Sequence, residues 1–166
     1  MIPAEYWIEH LKLFPHPEGG FYKETYRSSE VVDGSALPSR FGGDRNYSTA
    51  IYFLLRAQDR SLFHRIKSDE LWHWHAGGAL NIYVLGKDGL TVYTLGSDLE
   101  AGHQLQVVVP ANHWFGAKVS EGGEYTLSGC TVAPGFDFVD FEMGVRGKLL
   151  EEFPGFEAII GRLTSD

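Results

Sequence analysis

The sequence predicts an all-β fold, a double-stranded β-helix of the jelly-roll type, with short helices at both termini. From residue 48 onward, apolar segments rich in β-branched and aromatic side chains recur about every 8–12 residues, the spacing of strands in sandwiches and jelly rolls. Turn sequences separate these segments, as in KDG at 87–89 and SEGG at 120–123. Helical patterns are confined to the two ends of the chain.

The terminal helices are predicted over residues 4–14 and 146–162. In the first, apolar side chains at 7, 8, 11 and 14 recur at helical spacing after a proline at position 3, and prolines and glycines at 15–20 end the pattern. In the second, apolar pairs at 149–150 and 159–160 flank a Pro-Gly break. We therefore expect one domain, residues 1–166, with a barrel over about 20–143.

The barrel is predicted from two-faced or apolar strand segments. These are residues 21–27, 48–55, 62–66, 70–75, 80–85, 90–95, 104–109, 114–119, 125–132 and 138–142. Residues 31–45 show little periodicity and are expected to form a long loop. Loops of this length in compact domains are often lids or binding loops.

Composition excludes several classes of function. The chain of 166 residues has a net charge of −8 and no cluster of lysine and arginine, so a nucleic-acid partner is not expected. No apolar run reaches the ~20 residues that span a bilayer, and the N-terminus lacks signal-peptide features. A single cysteine, Cys130, suits a reducing compartment and is expected to be a buried, inert thiol. We expect a cytoplasmic protein.

The densest concentration of chemically active side chains lies at residues 63–78. Three of the seven histidines, two of the four tryptophans, an acidic pair and a glycine pair fall within this segment. Because side chains alternate along a strand, Glu70 and Trp72 should share one face, and His73 and His75 should lie on the other. This segment is expected to contribute a pocket inside the β-structure.

Part of this segment resembles the first motif of the cupin superfamily, His-X-His-X3/4-Glu-X6-Gly. His64, Glu70 and Gly77 match it, whereas Ile66 stands at the second histidine. The second cupin motif is eroded: Pro110 matches, but Asn112, Phe115 and Val119 replace its glycine, histidine and asparagine.

The segments HPEGGFY at 16–22, DELWHWHAG at 69–77 and APGFDF at 133–138 resemble the cupin-5 family, formerly a domain of unknown function. The likeness extends from about residue 3 to residue 155.

Metal-binding cupins hold Fe, Mn, Ni or Zn with three imidazoles and one carboxylate, and the resemblance implies where those ligands would stand. Here only His64 and Glu70 remain, because Ile66 and Phe115 occupy two ligand positions. Zinc sites, for comparison, use three or four protein ligands. We therefore expect no metal and no cofactor, the alternative being one divalent transition metal at His64 and Glu70.

The resemblance implies a binding site in the barrel, lined by His64, Glu70, Trp72, Phe115 and Tyr83. A catalytic role is assigned to His64 and Glu70, and an inert hydrogen-bonded pair of the same two residues is the alternative.

Three functions remain open. The first is small-molecule binding, carbohydrate-like in its ligand, with metal-independent isomerase or epimerase chemistry on a sugar or nucleotide-sugar. In that reaction His64 would be the base, Glu70 or Asp69 would orient it, and one of four tyrosines (22, 26, 52 or 83) would be the acid. The second is a non-catalytic binding or storage protein, and the third a metal-dependent oxygenase. Whether the protein is an enzyme stays open, and a C2 homodimer is expected.

Overall fold

The computed structural model describes residues 2–165 and consists mainly of β-strands. The strands are β1 (Phe14–Pro15), β2 (Phe21–Arg27), β3 (Val31–Val32), β4 (Arg45–Asn46), β5 (Thr49–Arg56), β6 (Ser61–Arg65), β7 (Asp69–Gly77), β8 (Leu80–Gly86), β9 (Gly89–Leu95), β10 (Gln106–Val109), β11 (Trp114–Val119), β12 (Tyr125–Ala133) and β13 (Glu142–Met143). The helices are α1 (Ala4–His10), α2 (Arg146–Glu152) and α3 (Glu157–Arg162). Across residues 2–165, none of the helices has the length and apolarity that a membrane crossing requires.

Two antiparallel sheets face each other. The first has six strands in the order β1-β2-β5-β12-β7-β10, and the second has five in the order β13-β6-β11-β8-β9. Neighbours in space are often distant in sequence, as when β12 inserts between β5 and β7. This arrangement confirms the predicted jelly roll with short terminal helices.

The main core fills the space between the two sheets. Phe53, Trp72, Ile82 and Phe115 are among its buried members. A second cluster lies between the five-stranded sheet and the C-terminal helices, and a third lies under α1. The terminal helices cover outer sheet surfaces, and the inner faces of the strands build the main core and the cavity described below.

Three predicted elements differ from the structure. Helix α1 ends at His10 rather than near 14, because Lys12 adopts a left-handed backbone (φ +56°) and Phe14 already pairs with Tyr22 in the sheet. The loop at 31–45 is bounded by the short strands β3 and β4. The strand predicted at 138–142 is instead a 3-10 turn (Phe138–Asp140) followed by the two-residue strand β13.

A buried ion pair fixes the segment that contains this 3-10 turn. Arg45 donates two hydrogen bonds to Asp140, at 2.6 and 2.7 Å, and both side chains are only 5% exposed. Lys67 Nζ lies 3.3 Å from the same carboxylate. Burial raises the pKa of Asp140, but the hydrogen bonds from Arg45 and Lys67 outweigh burial and lower it. Strand β4 is thereby joined to the segment that follows β12.

Replacing Arg45 by alanine should destabilise the protein by about 3 kcal/mol, because the carboxylate of Asp140 would remain buried without its bidentate partner. Chemical denaturation measures the loss, and hydrogen exchange should quicken at residues 136–141. As a control, Arg60→Ala removes an exposed arginine that donates to the Arg162 carbonyl, and should cost at most about 1 kcal/mol. Equal losses for the two variants would contradict the role assigned to the pair.

Candidate functional site

A cavity of about 440 Å³ opens between the two sheets at the end where β1, β2 and the 134–141 segment meet. Most of its wall is apolar and aromatic, with a few charged and polar groups. The lining residues are Phe14, His16, Glu18, Tyr22, Glu24, Arg27, Thr49, Ile51, Phe53, His64, Ile66, Glu70, Trp72, Cys130, Val132, Phe136, Asp137, Phe138 and Phe141.

The turn between β1 and β2 places Glu18 in this wall. His16 donates its backbone N–H to the Gly20 carbonyl (3.0 Å), and the Glu18 carbonyl accepts from Leu62 of β6 (2.8 Å). Gly19 has a φ of +109°, and a Cβ there would lie 2.1 Å from the Arg60 carbonyl oxygen. Only glycine allows so close an approach, and the turn therefore packs against β6 with Glu18 directed inward.

Glu18 and His64 form a buried ion pair. His64 Nε2 lies 3.0 Å from Glu18 Oε2, and the hydroxyl of Ser61 donates to Glu18 Oε1 at 2.8 Å. Burial raises the pKa of Glu18, but the charge and hydrogen bond of His64 outweigh burial and lower it. Burial lowers the pKa of His64, and here the charge and hydrogen bond of Glu18 outweigh burial and raise it. The two directions agree: Glu18 is the anion and His64 the cation.

Both ring nitrogens of His64 are hydrogen-bond donors. Nδ1 lies 2.7 Å from the Leu62 carbonyl oxygen, an acceptor, and Nε2 faces the Glu18 carboxylate. Aromatic rings cover the imidazolium, with the centroid of Phe115 at 4.1 Å and that of Phe141 at 5.3 Å. Neither nitrogen retains a lone pair for a substrate proton or a metal ion.

Glu70 is a buried carboxyl group without a cationic partner. It lies on β7 of the six-stranded sheet, 8% exposed, and faces the cavity opposite His64. Its hydrogen-bond partner is the Cys130 thiol on the adjacent strand β12, and a thiol is a weak hydrogen-bond donor. Burial, and then the negative charge of Glu18, raise the pKa of Glu70 to about 7. Burial likewise raises the pKa of Cys130 well above its usual range, so the thiol stays protonated.

His16 contributes a neutral imidazole. Its Nδ1 accepts a hydrogen bond from the Glu18 backbone N–H (3.2 Å), so the 3.5 Å separation between this nitrogen and Glu18 Oε2 is not an ion pair. Burial lowers the pKa of His16; Glu18 opposes this effect and His64 reinforces it. In the neutral ring the proton therefore lies on Nε2, which makes no hydrogen bond within residues 2–165.

The opening of the cavity has a charged rim, which we define as Glu24, Arg27 and Asp137. Arg27 donates to both carboxylate oxygens of Glu24 (3.0 and 2.8 Å) and to the Phe136 carbonyl (3.1 Å). All three rim residues are exposed. The only cation of the rim is therefore already paired.

The residues predicted to form the site are only partly brought together. His64, Glu70 and Trp72 line the cavity, and His64 and Glu70 face each other from opposite sheets. Phe115 lies behind His64 and packs on its ring. Tyr83 is not among the lining residues; it packs in the cluster beneath the C-terminal helices. The buried pair expected between His64 and Glu70 forms between His64 and Glu18 instead.

The strand parity predicted for β7 is confirmed. Trp72 is buried in the core, whereas His73 contacts Thr131 and Gln106 on the outer face and His75 is exposed. Asp69 also lies outside the cavity, where it accepts a hydrogen bond from the Ala111 backbone.

Among the four tyrosines considered as acids, Tyr22 lines the cavity. Tyr52 packs with the α1 cluster, Tyr83 packs under the C-terminal helices, and Tyr26 is 53% exposed.

Sequence reasoning missed Glu18 and His16 as site residues, although both lie in the HPEGG segment. A carboxylate between proline and glycine is typical of an exposed turn. The available signal was the double glycine that follows it, because Gly19 and Gly20 both have positive φ and allow the close backbone approach that buries the turn.

The residues present do not suit the transition metal that the cupin superfamily implies. Both nitrogens of His64 already donate hydrogen bonds, and Ile66 and Phe115 contribute no donor atoms. In the described part of the chain, 2–165, no three His, Cys, Asp or Glu side chains form a group that could hold a metal ion. Glu70, the carboxylate that the superfamily motif assigns to the metal, instead accepts a hydrogen bond from the Cys130 thiol.

Replacing Glu18 by glutamine should destabilise the protein by up to about 3–5 kcal/mol, because a buried imidazolium would lose its counter-ion. The raised pKa of His64 contributes stability below its ordinary value of 6.5 that is lost as pH rises through the folded pKa. The lowered pKa of Glu18 contributes stability above 4.5 that is lost on acidification. The destabilisation should therefore be largest between these two pH values, as denaturant titrations at several pH values can measure.

The matched control for this variant is Glu24→Gln, which removes a rim carboxylate whose side chain is 42% exposed. Its cost should stay below about 1 kcal/mol. A Glu18→Gln cost as small as that, with no maximum at mildly acidic pH, would contradict the ion pair.

Comparisons with known proteins identify chains of similar sequence and fold. The chain is 37% identical to a hypothetical protein from Leishmania major, whose structure superposes with a TM-score of 0.91 over 99% of this chain and 100% of the other. A protein from Shewanella oneidensis is 40% identical, with a TM-score of 0.88 and 99% of both chains covered. An uncharacterized protein from Saccharomyces cerevisiae is 28% identical over 142 residues, covering 80% of this chain and 71% of the yeast protein.

More distant structures share the fold alone. Oxalate decarboxylase from Bacillus subtilis superposes with a TM-score of 0.54 at 13% identity, over 90% of this chain and 36% of the decarboxylase. The family described as "Cupin superfamily (DUF985)" matches residues 5–144, which include both sheets and every residue of the cavity wall. The chain belongs to this family, Cupin_5, of the cupin superfamily.

Proposed function

We propose that this protein binds a small, polar, carbohydrate-like molecule in the cavity between its sheets, and that it does so without a metal ion. The observation that carries the proposal is the cavity itself, an aromatic-walled space of about 440 Å³ into which a few polar groups converge. Small-molecule sites have this form and this size. That no metal ion takes part is supported by the ligand positions of the cupin motif, because both nitrogens of His64 are hydrogen-bonded and Ile66 and Phe115 have no donor atoms.

Aromatic side chains supply the apolar share of the proposed contacts. Phe53 and Trp72 pack edge to face at 5.5 Å on the six-stranded side. The rings of Phe136, Phe138 and Phe141 pack against one another, with centroids 4.9–6.2 Å apart, in the segment that borders the opening. Rigid rings present large contact areas at little entropic cost, and the apolar face of a sugar ring suits such a wall.

If the protein is a catalyst, proton transfer of the isomerase type falls to Glu70 and Tyr22 rather than to His64. A general base needs a free lone pair, and both His64 nitrogens carry protons. Glu70, with a pKa of about 7, can take or give a proton near neutral pH, and Tyr22 shares the cavity with it.

A non-catalytic binding protein is the alternative, and the state of His64 favours it. The histidine at the cupin motif position is committed to Glu18 and to the Leu62 carbonyl, which is a structural arrangement.

Filling the cavity should abolish binding without unfolding the protein. Ile51 of β5 lines the cavity and is half-buried, so Ile51→Trp places extra atoms in open space. Tyr52→Trp, the next residue, changes the outer face and is the matched control. With D-glucose and benzyl alcohol at millimolar concentration, saturation-transfer NMR should detect binding to the wild type and to Tyr52→Trp but not to Ile51→Trp. Undiminished transfer to a folded Ile51→Trp variant would place binding elsewhere.

A further inference from the structure

The charges around the cavity are balanced internally, which bears on the class of ligand. Three basic residues line it: His16, Arg27 and His64. His64 is paired with Glu18, Arg27 with Glu24, and His16 is neutral. Among the lining residues, two further carboxyl groups, Glu70 and Asp137, have no cation in an ion pair with them.

Binding of an anion in this cavity is therefore unfavourable. A phosphate or carboxylate entering the cavity would find no unpaired cation among the lining residues and would pass the exposed carboxylate of Asp137 at the rim. It would lose its hydration without a compensating ion pair, which is unfavourable in a partly buried site. The diphosphate of a nucleotide-sugar falls under the same restriction.

The inner wall offers two uncharged hydrogen-bond donors. The Cys130 thiol donates to the Glu70 carboxyl group, whose own O–H has no acceptor within residues 2–165, and His16 Nε2–H has no acceptor in the same part of the chain. Donors of this kind bind carbonyl, hydroxyl or ether oxygens. An ammonium group brings only donors and therefore cannot accept the hydrogen bonds that these two groups offer.

We infer that the cavity takes an uncharged molecule, oriented by oxygen atoms that accept hydrogen bonds from Glu70 and His16, and excludes anions. The inference rests on the proposed function and narrows it to free, unphosphorylated ligands. It assigns Glu70 the role of a hydrogen-bond donor in binding rather than that of a metal ligand.

The titratable groups that face Glu70 have pKa values shifted by burial and by one another. Glu18 is ionised and His64 is protonated, because the pKa of the first is lowered and that of the second is raised. Cys130 remains a thiol and His16 a neutral ring. The protonated fraction of Glu70 falls about tenfold between pH 6 and 8. The part of a change in binding that disappears in Glu70→Gln therefore reports on Glu70, because the other titratable groups are the same in both proteins.

Two triads of probes with matched size and different charge test the inference. The first is D-glucose, D-glucuronate and D-glucosamine; the second is benzyl alcohol, benzoate and benzylamine. Saturation-transfer NMR at about pH 6, with Ile51→Trp as the cavity-filled reference, should show the uncharged members binding at least tenfold more tightly than the charged ones. Tighter cavity binding by an acid or an amine would overturn the inference and leave the proposed function standing. If none of the six binds in the cavity, both are overturned.

The Glu70 donor is tested by pH. Wild-type affinity for the uncharged probes should fall about tenfold from pH 6 to 8, since only the protonated carboxyl group donates. Glu70→Gln, which keeps a donor that does not titrate, should remove this dependence, and Glu70→Leu should weaken binding about tenfold or more at pH 6. Asp69→Asn, the neighbour on the outer face, should keep the wild-type profile. An unaltered pH profile in Glu70→Gln would overturn the assignment.

Discussion

The buried ion pair between Glu18 and His64 determines what the rest of the cavity can do. Two opposite charges in a nearly dry interior are tolerated only when they are close and their remaining hydrogen-bonding groups are satisfied. Ser61 and the Leu62 carbonyl meet that condition here. The pair uses up the cavity's buried cation, and the charge of Glu18 helps to keep the facing carboxyl group of Glu70 protonated.

This pair also accounts for the unusual motif. In a metal-binding cupin, the histidine equivalent to His64 would keep a nitrogen free for the ion. Here a turn between β1 and β2, outside the motif, supplies a carboxylate that occupies that nitrogen. Phe115, at a position where the motif has a ligand, packs on the imidazolium at 4.1 Å, as an aromatic ring does on a cation. The nitrogen that would bind a metal ion is thus paired with a carboxylate of the protein itself.

The sequence predicted the jelly roll and the inward face of β7, because strand spacing and side-chain alternation are local properties. It did not predict the partner of His64. Glu18 is forty-six positions from His64 in the chain, and its turn looks like a surface turn until the approach of Gly19 to Arg60 is known. The strand predicted at 138–142 failed for a similar reason. Asp140 is held by Arg45, a contact between distant segments that hydrophobic alternation does not record.

The positions of the protons distinguish an ion pair between Glu18 and His64 from a neutral pair. Neutron diffraction from crystals of the perdeuterated protein near neutral pH locates deuterium on each titratable group of the cavity. We expect deuterium on both nitrogens of His64, on Nε2 of His16 and on the Glu70 carboxyl group in a substantial fraction of molecules, and none on Glu18. A singly deuterated His64 beside a deuterated Glu18 would contradict this expectation, because the pair would then be neutral and His64 would be free to act as a base.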